Sequence, residues 1–213
     1  LSLFAAQAAG AIRSARLRAE TVRRLENMQA LREVDRLITS SFELRPILST
    51  VVSHAITQLG VDAADVLLLN RPLQTLEYAA GFGFRTRGIE HSNQRLGQGH
   101  AGSAALARHT VHVPNLPETG SNFKRASLLA GENFIEYYGV PLLSKGEVKG
   151  VLEVFHRSPL HTGPEWLELL ETLAGQAAIA IDNSQLFESI QRTNLELALA
   201  YDATIEGWSR ALE

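Results

Sequence analysis

A segment of fourteen residues occurs twice in this chain, and this repeat constrains the fold more than any other sequence feature. FAAQAAGAIRSARL begins at Phe4 and LAGQAAIAIDNSQL begins at Leu173, so the two copies lie 169 positions apart. Seven of the fourteen aligned positions are identical, and both copies are rich in alanine, the strongest helix former. If the segment is the closing helix of a domain, we expect one domain copy to end at residue 17 and a complete second copy to follow, in a chain that is a fragment of a longer protein. The spacing leaves room for a domain of about 150 residues and a short helical linker.

The two ends of the chain are predicted to be helical. Residues 1–40 contain no proline and a single glycine, and the helical pattern returns at Pro164 and persists to the end. A further helix is predicted from Pro46, which suits a first helical turn, to Gly60. The chain therefore reads as a long helix, a mixed core and a second long helix.

The core is predicted to contain strands with short turns. Two apolar runs, 65–70 and 75–80, are separated by arginine and proline, and two longer runs, 134–143 and 148–156, flank a turn of the kind found in hairpins. Between these pairs we predict a glycine-rich turn, a helix over 102–109, a short V-H-V strand over 111–113 and a loop over 114–130.

The last helix carries an apolar seam with heptad spacing. Its steps alternate between three and four residues, through Phe187, Ile190, Asn194, Leu197, Tyr201, Thr204 and Trp208. This spacing favours a coiled coil, and a polar residue such as Asn194 within the seam fixes register and partner number. The seam predicts a homodimer, and the alternative is one amphipathic helix that lies on its own domain.

Composition excludes several classes of protein. The formal net charge is −3 and the basic residues are dispersed, so we predict no nucleic-acid partner. The chain has no cysteine, which removes disulfides, thiolate metal sites and thiol nucleophiles. No apolar run approaches the roughly 20 residues of a membrane span, and no signal peptide opens the chain, so we expect a cytoplasmic protein with no membrane contact in this fragment.

The motifs of common enzymes are missing or out of context. GQGHAG (97–102) matches a dinucleotide fingerprint, but it follows a poor strand, and its glycines are better explained by a tight turn into a helix. His109 and His112 do not share one face of a strand, and no metal site is predicted. There is no His-Asp dipeptide and no G-x-S-x-G elbow. No catalytic residue is therefore predicted for this fragment.

Aromatic and polar residues in the middle of the chain are candidates for a small-ligand pocket. The candidate ligand-binding residues are Phe82, Phe84, His100, Phe123, Arg125, Tyr137 and Tyr138. The alternative is that these rings only fill the core between sheet and helices.

The run from Leu37 to Phe187 resembles a GAF domain. The resemblance rests on GQGHAGSAALARHTVHVPNL, on YGVPLLSKGEVKGVLEVF and on the closing helix LLETLAGQAAIAIDNSQLF. It implies an α/β (α+β) fold, with a PAS-like antiparallel sheet of about six strands packed by helices and with long signalling helices at both ends. On this reading, 1–17 close a preceding GAF domain, 18–36 form a helical linker, 37–187 form the GAF domain and 188–213 form a coiled-coil connector.

The tail NLELALAYDATIEGWSRALE resembles the connector that leads from a GAF domain into an HD-GYP domain, a metal-dependent phosphohydrolase that hydrolyses cyclic di-GMP. Similar helices also lead into histidine kinases and diguanylate cyclases. The resemblance thus implies a sensor domain of a bacterial signalling protein that responds to a small effector through dimeric helices. A ligandless dimerisation or spacer domain is the alternative.

Departures from the family's patterns narrow the expected ligands. Bilin-carrying and methionine-sulfoxide-reducing members use cysteines, which this chain does not have. The N-K-F-D-E pattern of cyclic-nucleotide-binding members is not reproduced by SNFKRAS, which begins at Ser121. We predict no cofactor, an effector of unknown identity is expected if there is one, and haem stays open as an alternative without a matching ligand motif.

Overall fold

The computed structural model describes residues 44–118, 125 and 127–211. In chain order it contains helix α1 (Leu44–Leu59), strands β1 (Ala63–Asn70) and β2 (Thr75–Phe82), a 3-10 turn (Gly88–His91), strand β3 (Asn93–Arg95), helix α2 (Gly99–Ala107), strands β4 (Val111–Val113), β5 (Glu136–Ser144) and β6 (Glu147–His156), and helix α3 (Pro164–Ala211). The strands form one antiparallel sheet in the order β3-β2-β1-β6-β5-β4. The closing helix and linker predicted within residues 1–36 lie outside the described residues.

Helices α1 and α3 cover one face of the sheet. The buried side chains of α1 recur on one stripe of the helix, at Ile47, Leu48, Val51, Val52, Ala55 and Leu59. They form one apolar core with inward residues of the central strands, such as Val66 and Leu152, and with α3 residues such as Ala177. The indole Nε1 of Trp166 donates to the carbonyl of Leu59 at 2.9 Å, which fixes the start of α3 against the end of α1.

The opposite face of the sheet is covered by α2 and by the long connections. Two separate apolar clusters lie there. One surrounds Phe155 and Tyr137, and the other surrounds Leu67 and Val151. The central strands are therefore buried on both faces, which explains why they read as nearly continuous apolar runs.

The predicted fold class is confirmed, and so are both strand pairs, the V-H-V strand and the last helix. Sequence reasoning missed β3, which has the polar sequence N-Q-R and pairs only at the sheet edge with β2. Helix α2 begins at Gly99, three residues earlier than predicted. Gly97 and Gly99 have positive φ angles of 76° and 62°, which glycine adopts readily. They form the tight turn that leads directly into the helix, so the helix begins within the glycine-rich segment.

Candidate functional site

A row of polar and small residues crosses the middle of the sheet on the α2 side. Asp65 of β1 lies directly opposite Glu153 of β6, and the row continues to Gly81 on β2 and to Gly139 on β5. Both carboxyl side chains are fully buried, at 0% exposure. We call these four residues the polar row.

The polar row separates the two apolar clusters of this face. Two residues before Asp65 on β1 lies Ala63, which pairs with Phe155 in one cluster. Two residues after Asp65 lies Leu67, which pairs with Val151 in the other cluster. Because side chains alternate across a strand, the odd-numbered positions of β1 place Asp65 between two apolar neighbours on the same face. A buried carboxyl pair in such surroundings carries a large desolvation cost, so the row is not explained by packing alone.

Tyrosine rings occupy the space that the two glycines leave. A Cβ atom added at Gly139 would lie 2.4 Å from the hydroxyl of Tyr137, and one added at Gly81 would lie 2.9 Å from the ring of Tyr78. The Tyr137 hydroxyl donates to Glu153 Oε1 at 2.8 Å. The glycines therefore let a tyrosine reach the carboxylate from the next strand.

Arg125, which comes from the connection between β4 and β5, places its guanidinium over the polar row. It donates through Nη2 to Glu153 and through Nη1 to Ser92 Oγ at 3.1 Å. Its Nη1 lies 3.9 Å from Asp65 Oδ2, which is beyond hydrogen-bond distance. Arg125 is only 3% exposed, so this ion cluster is closed off from bulk water.

Burial and the facing charges shift the protonation of the cluster. Burial is the largest cause that raises the pKa of Asp65 well above its usual range, and the negative charge of Glu153 raises it further, while Arg125 offsets part of the rise. Burial would lower the pKa of Arg125, but Glu153 and Asp65 outweigh it and the pKa is raised. Burial also raises the pKa of Tyr137, so the phenol stays protonated and donates.

The border of the cluster is formed by β3 and the start of α2. Gln94 is 4% exposed, and neither its Nε2 nor its Oε1 has a hydrogen-bond partner among the described residues. Its amide lies beside Gly99, where an added Cβ would be 2.8 Å from Nε2. The His100 ring lies 5.4 Å from the Tyr137 ring, and burial lowers the pKa of His100. His100 therefore lies beside the charged centre, and Gln94 lies next to the start of α2.

The structure brings together three of the seven ligand-site residues predicted from sequence, namely His100, Arg125 and Tyr137. Phe84 packs edge-on against Phe134 and Phe155 in the neighbouring apolar cluster, with ring centroids 5.8 and 5.6 Å away.

The remaining predicted residues lie elsewhere. Phe82 is 65% exposed. Tyr138 faces the other side of the sheet, where its ring stacks on His112 at 4.1 Å and lies 4.9 Å from Trp166. Phe123 lies outside the described residues.

Sequence reasoning missed Asp65, Glu153, Ser92 and Gln94. The signal was present for the two acids, because each interrupts an apolar strand run, in AADVLLLN and in GVLEVF. Nothing in the sequence pairs them, since the pairing depends on the register of β1 and β6. Ser92 and Gln94 belong to the edge strand region that carries no strand-like pattern.

The predicted dimer seam lies on the part of α3 that extends beyond the core. Ile190 and Leu197 are 50% and 51% exposed, and Leu186 and Ile179 on the same helix are exposed to a similar degree. Phe187 is half-buried and Asn194 is exposed. The side chains of Tyr201 and Trp208 lie outside the described residues.

The part of the chain that the structure describes contains no group of three or more histidine, aspartate or glutamate side chains arranged to hold a metal ion. Within the described ranges, no helix combines the length and the apolar character that crossing a bilayer requires.

Comparison with solved structures places this fold among GAF domains. The chain is similar to the GAF domain of a phosphoenolpyruvate-protein phosphotransferase from Coxiella burnetii, with 19% identity, a TM-score of 0.68 and coverage of 78% of this chain and 98% of the other. The corresponding Acinetobacter domain gives 22% identity, a TM-score of 0.64 and coverage of 77% and 98%. A fragment of a methyl-accepting chemotaxis protein, residues 122 to 287, gives 19% identity, a TM-score of 0.61 and coverage of 72% of this chain and 98% of the other.

The sequence profile described as "GAF domain" matches residues 43–181. A comparison with curated proteins gives no significant match. The profile covers more than half of the chain, and it includes both acids of the polar row and the start of α3. The chain therefore belongs to the GAF domain family.

Proposed function

We propose that this chain is a sensor domain in which the polar row receives a small effector and α3 carries the response to an output domain. The observation that supports this most directly is that one strand, β6, connects the two. It carries Glu153 in the polar row, and at its other end it carries Lys149, which pairs with α3. The family to which the chain belongs supports the regulatory part of the proposal.

The attachment of α3 to the β5–β6 turn is ionic. Asp182 of α3 accepts from Lys149 Nζ at 2.5 Å and from Lys145 Nζ at 2.9 Å. Lys149 is only 8% exposed, and it also lies 3.3 Å from Glu147. A change of position at Glu153 would reach this contact along four residues of β6. An effector can act through it only if it binds more tightly to one of two arrangements of α3.

Beyond the core, we propose that α3 pairs with the same helix of a second copy. The exposed apolar residues Ile190 and Leu197 have heptad spacing, and Leu186 and Ile179 extend the apolar strip toward the core. Exposed apolar strips of this kind mark protein interfaces. The seam would then be the two-state element that changes when the effector binds.

The output domain is a separate part of the proposal. The resemblance of the tail to an HD-GYP connector supports a cyclic di-GMP phosphodiesterase, and histidine kinases and diguanylate cyclases are the alternatives. Incubation of the full-length protein with cyclic di-GMP should release a linear or mononucleotide product. Autophosphorylation or synthesis of cyclic di-GMP would instead select one of the alternatives.

The ligandless spacer is the second candidate function, and one observation favours it. Arg125 already lies over the polar row and neutralises one of its charges without any effector. In that case the polar row would only hold the β4–β5 connection in place, and substitutions within the polar row would not alter the dimer seam.

Cysteine cross-linking distinguishes the two candidates, because the chain contains no cysteine of its own. Ile190→Cys should form a disulfide between two copies, whereas Arg192→Cys, two residues along and about 200° around the helix, should cross-link much more slowly. Glu153→Gln, made in the Ile190→Cys background, should change the cross-linking rate at least about twofold if the row and the seam are coupled. An unchanged rate in a folded protein would favour the spacer.

A further inference from the structure

The hydrogen-bonding capacity of the polar row exceeds what the described residues supply. Glu153 Oε1 accepts from Tyr137 and from Arg125, but Glu153 Oε2 and both oxygens of Asp65 accept no hydrogen bond from any described residue. Three of four fully buried carboxyl oxygens thus have no donor among the described residues. A proton held by Asp65 could satisfy part of this demand by linking the two carboxyls, but it leaves the row short of donors.

The single guanidinium also serves only one of the two carboxyl groups of the row. Two carboxyl groups face one guanidinium, and that guanidinium contacts Glu153 while it stays 3.9 Å from Asp65. Replacing a buried ion cluster with apolar residues is often neutral or stabilising, so such a cluster is weak support for a purely structural role. Missing donors beside two acids indicate a ligand with several N–H groups. A cation of this kind would favour ionisation of Asp65, whereas Glu153 would repel an anion.

Arg125 shows that this kind of group fits. Its guanidinium binds Glu153 and Ser92 at the same time. It is supplied by the connection between β4 and β5, whereas the two acids belong to the central strands. The rings of Tyr137 and His100 offer aromatic contacts to the remainder of a ligand. Gln94 lies next to Gly99 at the start of α2, and its buried amide has no hydrogen-bond partner among the described residues.

We infer that the polar row is a receptor for a small organic cation with N–H donors, a guanidinium or a primary ammonium, and that Arg125 occupies the row in this structure as an internal competitor. This inference rests on the proposed function, because it names the chemical class of the effector. Binding of the cation displaces the Arg125 guanidinium from Glu153, so the ligand and the side chain exclude each other.

Calorimetric titration with simple cations tests the inference. Methylguanidinium chloride and methylammonium chloride are titrated into the wild-type chain and into Arg125→Ala. Because removal of a competitor removes its penalty on binding, Arg125→Ala should bind at least one of the two cations about tenfold more tightly than the wild type. The better ligand of the two distinguishes a guanidinium effector from an ammonium effector. Arg192→Ala, which removes an equal charge from the exposed part of α3, should bind as the wild type does.

Three results would overturn the inference. They are equal affinity in Arg125→Ala and the wild type, equally tight binding of tetramethylammonium, which has no N–H donor, and tighter binding of acetate than of either cation. Glu153→Gln in the Arg125→Ala background should abolish binding of the cation, and retained binding would place the site elsewhere.

Failure to fold is itself informative. If Arg125→Ala is unfolded alone, millimolar methylguanidinium should restore its helical circular dichroism, and lack of rescue by both cations would count against the inference. Cross-linking at Ile190 separates this inference from the proposed function. If a cation binds without changing the cross-linking rate, the polar row is still a cation receptor, but the proposed transmission of the response through α3 is contradicted.

Discussion

Asp65 and Glu153 lie side by side in the middle of a sheet, where two carboxylates repel each other and neither reaches water. One guanidinium cannot serve both, as the 3.9 Å separation from Asp65 shows. The free-energy cost of ionisation is largest at Asp65, whose pKa is raised by burial first and then by Glu153. The folded chain therefore holds a proton on Asp65 more tightly than the unfolded chain does.

The sign of the resulting pH dependence follows directly. The stabilising contribution of Asp65 is complete below the unfolded pKa of about 3.9 and is lost as the pH rises through the raised folded-state pKa. Asp65→Asn keeps the shape and removes this loss, so at mildly alkaline pH it should unfold with a free energy equal to the wild type or about 1 kcal/mol higher. Urea unfolding at acidic and alkaline pH measures the difference.

Asp62→Asn is the matched control for that prediction. The Asp62 carboxylate accepts from the backbone nitrogen of Arg157 at 2.6 Å and lies 2.8 Å from His156 Nδ1, so its loss should destabilise the chain. A greater destabilisation by Asp65→Asn at alkaline than at acidic pH would contradict our account of Asp65.

Glu132 is a buried carboxylate whose hydrogen bonds are satisfied. It accepts from the backbone nitrogens of Arg85 and Thr86 at 2.7 and 2.9 Å and from Arg157 Nη2 at 2.8 Å. Burial would raise the pKa of Glu132, but the hydrogen bonds from Thr86, Arg157 and Arg85 outweigh it and lower the pKa. Its contribution is therefore present above the unfolded pKa of about 4.3 and is lost as the pH falls through the folded-state value.

Glu132→Gln should lower the free energy of unfolding at neutral pH by about 2 kcal/mol, because Arg157 loses its carboxylate and both backbone donors lose an ionised acceptor. The deficit should shrink as the pH is lowered toward the folded-state pKa, and chemical denaturation across this range follows it. Glu90→Gln, which removes an exposed pair with Arg87, should change stability by less than about 0.5 kcal/mol. A deficit that stays constant with pH would show that the charge of Glu132 is not responsible.

At the scale of the elements, sequence patterns predict the helices and every strand except β3, but only part of the site. The apolar runs and the short turns between them suffice to predict the pair β1 and β2 and the pair β5 and β6. The face on which each side chain lies depends on irregularities that local patterns do not contain, such as the register shift between Val66 and Leu67. Arg125 and Tyr137 belong to the aromatic and polar set predicted from the sequence, whereas Asp65 and Glu153 become neighbours only through the pairing of distant strands.

Two glycines in different elements allow a matched test of this packing. Gly139→Ala in β5 would place a Cβ atom 2.4 Å from the Tyr137 hydroxyl and push that donor from Glu153. We expect a loss of about 1–3 kcal/mol in the free energy of unfolding, as for other overpacked sites. Gly175→Ala in α3 meets nothing within 4 Å and should stabilise the chain by about 0.5–1 kcal/mol. Thermal unfolding of both variants measures the two changes in stability. Equal changes in the two variants would show that Gly139 is not tightly packed.

At the scale of the whole molecule, α3 is held to the sheet in two ways. Its first half is buried against α1 and the strands, up to Ile181. At the point where it leaves the core, Asp182 forms the ion pairs with Lys145 and Lys149. Hydrogen bonds from these two lysines, Lys149 first, lower the pKa of Asp182 to about 2. The Asp182 carboxylate therefore stays ionised from neutral pH down into the acidic range, and on acidification the contact is lost only as the pH falls toward that value.

Asp182→Asn should loosen α3 where it leaves the core, because buried Lys149 loses the nearer of its two carboxylate partners and keeps only Glu147. We expect the free energy of unfolding to fall by about 1 kcal/mol and amide hydrogen exchange to accelerate in α3 near this residue, with little change in α1. Glu168→Gln, an exposed change on the same helix, is the control and should alter neither quantity. In the Ile190→Cys background, Asp182→Asn should also abolish the effect of Glu153→Gln on cross-linking. If that effect survives, the ionic contact does not carry the signal, and the route from the polar row to α3 runs through the apolar core instead.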